Sequence, residues 1–145
     1  MRQILASAMF LALTFPLLAD EKDDAVKKLN GTYEVISVLK DGKPEKAKKE
    51  KETVIIKDGV IEIKEGDKNK DDNAKFTVDA SKKPAHIDIK PEKDKGETLK
   101  GIYELKETDK GVELTIAIGF DERPKDFKGE GKESMIIKLF RKKEK

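Results

Sequence analysis

This sequence predicts an all-β fold: eight antiparallel strands in up-and-down order, closed into a barrel, with a short N-terminal helix. Three observations carry that expectation. Val, Ile, Leu, Phe and Tyr gather in eight short runs, each bounded by Gly, Asp, Asn, Pro or Lys, which is how strands separated by turns read. Several runs alternate apolar and polar residues, so one face of each is buried and the other is wet. The connections between runs alternate long and short, which suits a barrel with one tight end and one open end.

The first segment stands apart from the rest. Residues 1–19 carry a single charge, Arg2, then the apolar run Ile4–Leu18 interrupted by Pro16, and end on the small Ala19 before Asp20 and Glu21. This is the pattern of a secretory signal peptide, too short and too Pro-broken to make a good membrane span. Cleavage after Ala19 is expected to release one domain, residues 20–145, into the periplasm or outside the cell. The chain contains no cysteine, so no lipid anchor, disulfide, thiolate metal site or Cys nucleophile is expected.

Asp23–Leu29 reads as two helical turns, acidic at the start, with Val26 and Leu29 on one side. The runs follow as Thr32–Lys40, Thr53–Lys57, Val60–Glu65, Ala74–Asp79, Ala85–Lys90, Thr98–Lys106, Val112–Gly119 and Ser134–Lys142. Pro44–Glu52, charged throughout, reads as a solvated loop. Asp58-Gly59 makes a two-residue hairpin, and Lys110-Gly111 closes the turn after the sixth run.

Connections after the odd-numbered runs span about 12, 8, 7 and 14 residues, and those after the even-numbered ones about 2, 5 and 5. In an up-and-down barrel the two sets lie at opposite ends. The expected shape is a cup with its mouth at residues 41–52, 66–73, 91–97 and 120–133 and with no raw sheet edge. Antiparallel closure between the first and last runs is expected at a constant number sum of about 174. That register sets Tyr33, Val35, Ser37 and Leu39 inward, opposite Arg141, Leu139, Ile137 and Met135, with Ile55 also inward. It lays the Arg141 guanidinium over the Tyr33 ring, a structural pair at the barrel floor.

Charge narrows the partners. With 32 Lys+Arg against 30 Asp+Glu in 145 residues, there is no basic field for nucleic acid and no amphipathic anchor for a membrane. The Lys clusters at Lys46–Lys51 and Arg141–Lys145 are interrupted or followed by Glu and read as solvated surface.

Several short patterns follow one another over nearly the whole domain. They are Leu29-Asn30-Gly31-Thr32-Tyr33, Lys83-Pro84 ahead of Ile87-Asp88-Ile89, Gly101-Ile102-Tyr103-Glu104-Leu105, Glu122-Arg123-Pro124 with Phe127, and the final apolar strand Met135–Lys142. In this order they resemble an uncharacterised lipocalin-like domain of secreted planctomycete proteins, with Tyr33 where lipocalin-like barrels carry Trp. The resemblance implies a lipocalin-like barrel in an extracytoplasmic location, and it implies no activity.

No catalytic constellation is visible. His86, the only histidine, shares a strand face with Asp88 and Lys90, and no Ser stands in a nucleophile elbow. Asp67, Asn69 and Asp71 have the spacing of calcium ligands, but Asp72 and Val78 stand where such a loop needs Gly and Glu. Asn30-Gly31-Thr32 fits a glycosylation pattern but begins a strand. No enzyme activity, metal or cofactor is expected.

The residues with most promise for binding are Phe120, Arg123 and Phe127, which place two aromatics and a cation at the expected mouth. The plainer reading makes the aromatics a plug for the barrel top and pairs Arg123 with an acidic neighbour. Two functions are weighed. The first is a secreted non-enzymatic barrel binding a small apolar or amphipathic ligand at its long-loop end, because one-sided long loops have no purpose in a purely structural barrel. The second is a structural or protein-interaction module of the cell envelope with a fully packed core and a protein partner the sequence does not name. Eight strands enclose a space that side chains can fill or one small ligand can share.

Overall fold

The computed structural model describes residues 17–46, 51–69, 73–93, 97–129 and 133–144. Most of the expected signal peptide, residues 1–16, lies outside the described residues, as do parts of all four expected mouth loops. In chain order the elements are α1 (Leu17–Leu29), β1 (Gly31–Lys40), β2 (Lys43–Pro44), β3 (Glu52–Lys57), β4 (Val60–Glu65), β5 (Lys68–Asn69), β6 (Ala74–Asp79), β7 (Ala85–Pro91), β8 (Leu99–Glu107), β9 (Gly111–Gly119) and β10 (Ser134–Lys142).

Eight long strands form one antiparallel sheet in the order β10-β9-β8-β7-β6-β4-β3-β1, and β1 pairs with β10 to close it into a barrel. The eight apolar runs coincide with these strands to within one residue at each boundary. β2 and β5 are two-residue additions paired with β1 and β4, so the start of Pro44–Glu52 is strand rather than loop. The Asp58-Gly59 hairpin has positive φ at both positions, 47° and 85°, as a two-residue turn matched to strand twist requires. Helix α1 begins at Leu17 instead of Asp23 and so runs across the expected cut after Ala19. Leu, Ala, Glu and Lys downstream of Pro16 are all strong helix formers.

Alternation builds the interior. Leu114, Ile116 and Ile118 on β9, Ile87 and Ile89 on β7, and Phe76 and Val78 on β6 are buried in one cluster with Tyr33 and Leu139. On β3 the inward residues are Val54 and Ile56, so Ile55 faces out, contrary to the sequence-based expectation.

The closing ladder follows the expected register and then leaves it. Val35 pairs with Leu139, but Ser37 pairs with Lys138, because Ile36 is inserted as a β-bulge and stands 58% exposed. Beyond the bulge the faces invert. Val38 pairs with Ile137, whose side chain packs on the inner cluster, while Ser37 and Leu39 turn outward instead of inward.

One seam of the barrel is short. β4 and β6 pair only at Val60–Lys75 and Ile61–Ala74, so β6 runs on past the start of β4. There α1 packs against β6 and β3, which seats the helix at the end with the short turns. Outside the barrel a second, smaller cluster forms. Ile102, Ala117 and Ile136 lie directly across β8, β9 and β10 in register, and Leu39 and Phe127 pack on them.

Candidate functional site

The helix-capped end is assembled around Leu29 and Asn30. Leu29, 1% exposed, enters the barrel core with Ala25 from the last turns of α1. The Tyr33 hydroxyl, on the first inward residue of β1, donates to the Leu29 carbonyl at 2.9 Å and satisfies a group the helix end leaves open. The Asn30 amide nitrogen Nδ2 donates to Asp58 Oδ1 at 3.0 Å, and Asn30 Oδ1 accepts from the Asp58 backbone N–H at 2.9 Å. The side chain that fits a glycosylation pattern is thus committed to the β3–β4 turn.

Arg141 completes this floor. Its Cζ lies 5.4 Å from the centroid of the Tyr33 ring, and its Nη1 donates to the Asn30 carbonyl. The β1–β10 ladder ends at Glu34–Phe140, one step short of these two residues, so they meet through side chains in the fork between the strands. Burial raises the Tyr33 pKa above its usual 10.0, with the Arg141 charge opposing. Burial also raises Tyr103, and the negative charge of Asp79 adds to that shift.

Two crevices lie at this end of the barrel, one beside the capping helix and one along the β1–β10 fork, and Glu107 lines both. One, of about 600 Å³, has Ala25, Leu29, Leu105 and the Tyr103 ring at its base and Asp24, Lys28, Ser81 and Glu107 around it. The other, of about 780 Å³, follows the β1–β10 fork past Gly31, Val112, Phe140 and Arg141. Ser81, beside the first crevice, donates its hydroxyl to Asp79 at 2.5 Å, a turn-capping bond. His86 sits on the outer wall, opposite Ile102.

The loop end is built differently from the expected mouth. Arg123 lies against the outer wall, where Nη1 donates to the Gly101 carbonyl at 2.7 Å and more weakly to Ile87 at 3.4 Å, while Nη2 meets Asp88 Oδ1 at 2.7 Å. Phe127 covers the outer cluster formed with Ile102, Ala117, Ile136 and Leu39. Phe120 stays 42% exposed at the loop's start, held by its N–H bond to the Glu133 carbonyl. These three residues are therefore not gathered around one opening; the loop is strapped down the side of the barrel. Its signal in the sequence is the outward apolar row Ile102, Ala117 and Ile136 at one register level of three neighbouring strands.

Among the described residues no group of acidic or His side chains is placed to hold a metal ion, and Asp71 of the calcium-like spacing lies outside them. No described helix is long and apolar enough to cross a membrane. Compared with known protein families, curated proteins and solved structures, the chain shows no significant match.

Proposed function

We propose that this chain is an exported, non-enzymatic barrel that binds a small amphipathic molecule, with its seat at the helix-capped end rather than among the long loops. The crevice beside α1 carries this reading: apolar Leu29 and Leu105 and the Tyr103 ring form its base, and Asp24, Lys28 and Glu107 stand around it. An apolar base with a few polar groups suits a ligand with an apolar body and a polar end. Export is supported by the leader pattern of residues 1–19 and by the resemblance to secreted lipocalin-like domains. One observation favours the second reading, a packed structural or protein-interaction module of the envelope. Side chains from all eight strands, together with Leu29, crowd a single interior cluster.

A titration of the purified protein with the neutral, environment-sensitive dye Nile red, mapped by amide chemical shifts, separates the two. Saturable binding with shifts at Ala25, Leu29 and Tyr103, weakened roughly tenfold or more by the crevice-filling Ala25→Trp, supports the seat. Shifts confined to the loop after β9 would move the seat to the other end. No saturable signal would leave the packed module.

A further inference from the structure

We infer that the groove along the β1–β10 fork is a carboxylate site and that Arg141 is its anchor, so the ligand class is an aliphatic carboxylate. This rests on the reading of the helix-capped end as a binding seat. The Arg141 guanidinium is part-buried, and among the described residues no carboxylate pairs with it. Its only described hydrogen bond goes to the Asn30 carbonyl, while the Tyr33 ring takes its face. A guanidinium carries five N–H donors in a planar fork, so an edge suited to a two-oxygen acceptor is left over. An unpaired, partly desolvated cation gains from such a partner more than an exposed one does.

Gly31 makes room for the Arg141 side chain in this groove. A side chain at Gly31 would lie 2.5 Å from Arg141 Cδ and 2.7 Å from Nη1, so only a bare backbone lets the guanidinium lie there. Half-buried Val112 and Phe140 give the groove an apolar wall. Lys142 and Lys143 and the carboxylates of Glu34, Glu107 and Glu144 line the same groove as Arg141. The residue type also matters. Of the three arginines in the chain, Arg2 lies in the leader and Arg123 is spent on Asp88 and two carbonyls. A lysine at 141 would offer a point charge without the planar fork.

The test compares dodecanoate with dodecanol by calorimetric titration of the purified protein at neutral pH, with the Arg141 side-chain N–H resonances followed by NMR. Expected is saturable dodecanoate binding about tenfold tighter than dodecanol, with Arg141 Nε–H shifted, and loss of that preference in Arg141→Lys. Because Arg141→Gln or Arg141→Lys can unsettle the floor, the ligand pair itself is the decisive comparison. Dodecanol binding as tightly as dodecanoate, with shifts at Tyr103 and none at Arg141, would overturn the carboxylate site and leave the amphipathic seat standing. Binding of neither ligand would overturn both.

Discussion

Arg123 and Asp88 are joined across the outside of the barrel wall, Nη2 to Oδ1 at 2.7 Å, and the same guanidinium caps the Gly101 carbonyl of the next strand at 2.7 Å. The contact fixes a loop that the chain order would place at an open mouth. It does so at β7 and β8, while Phe127 of the same loop fixes it again at β8, β9, β10 and β1. Two anchors of different chemistry turn a long loop into a strap.

The ion pair is the weaker part of the first anchor. Its side chains are 22% and 40% exposed, so water and salt screen it, and Asp88→Asn should cost less than about 1 kcal/mol. Arg123→Ala also removes the carbonyl bonds and should cost about 1–2 kcal/mol in urea unfolding at unchanged slope. Equal costs for the two variants would show that the carbonyl bonds contribute nothing.

Phe127→Ala should cost about 1–2 kcal/mol, below the range for a fully enclosed Phe, because the outer cluster is covered from one side only. Combined with Arg123→Ala, the loss should fall short of the sum, since either change alone frees the strap. Strict additivity in a double-mutant cycle would mean that the two anchors act on independent segments.

The strands were legible because alternation on β6 and β7 separates a wet face from a dry one. β1 defeats the same rule: Val35, Ile36, Val38 and Leu39 are apolar on both faces, so a one-residue bulge at Ile36 leaves no mark in the pattern. The strap was hidden for a related reason. Leu39, Ile102, Ala117 and Ile136 are single outward apolar residues on four strands, and each alone is unremarkable until register brings them to one level. Tyr33 and Arg141 were legible as neighbours because both lie before the bulge, where the number sum still holds. The crevice beside Tyr103 was not, because it depends on where α1 crosses the barrel end, and only the short β4–β6 seam decides that.

Gly31→Ala should destabilise the domain by about 2–3 kcal/mol. The position has φ of +148°, and the added Cβ would collide with the Arg141 side chain, so strain and displacement act together. Thermal unfolding measures the loss, and Gly31→Ala in an Arg141→Ala background should recover part of it. A full, undiminished cost in that background would assign the strain to the backbone alone.

Stability should decline at alkaline pH through the two tyrosines. Burial raises both folded-state values above the unfolded 10.0, so the folded protein retains protons that the unfolded chain gives up. Their contribution is fully present below pH 10.0 and is lost as the pH rises through the folded values. Unfolding temperatures across this window should fall with tyrosinate absorbance appearing only on unfolding, and Tyr33→Phe should flatten the slope. Phenolate absorbance that develops in the folded protein at pH 10.0 would contradict the shift.

Tyr33→Phe separates the two things Tyr33 does. The ring stays in the core and keeps its face toward Arg141, but the bond to the Leu29 carbonyl is lost and a buried acceptor at the end of α1 is left unpaired. The expected cost is about 1–2 kcal/mol, most of it local to the helix, so amide exchange near Ala25 and Leu29 should speed up while β9 and β10 keep their protection. Arg141→Lys acts on the other side of the ring. It should cost about 0.5–1 kcal/mol from the lost planar contact, with exchange rising at Asn30 and Gly31 instead. Because α1 forms one wall of the crevice beside Tyr103, Tyr33→Phe should also weaken Nile red there while leaving the groove at Arg141 intact. Uniform loss of protection across the barrel in Tyr33→Phe would show instead that the helix and the sheet unfold as one unit and that the hydroxyl does not govern the cap on its own.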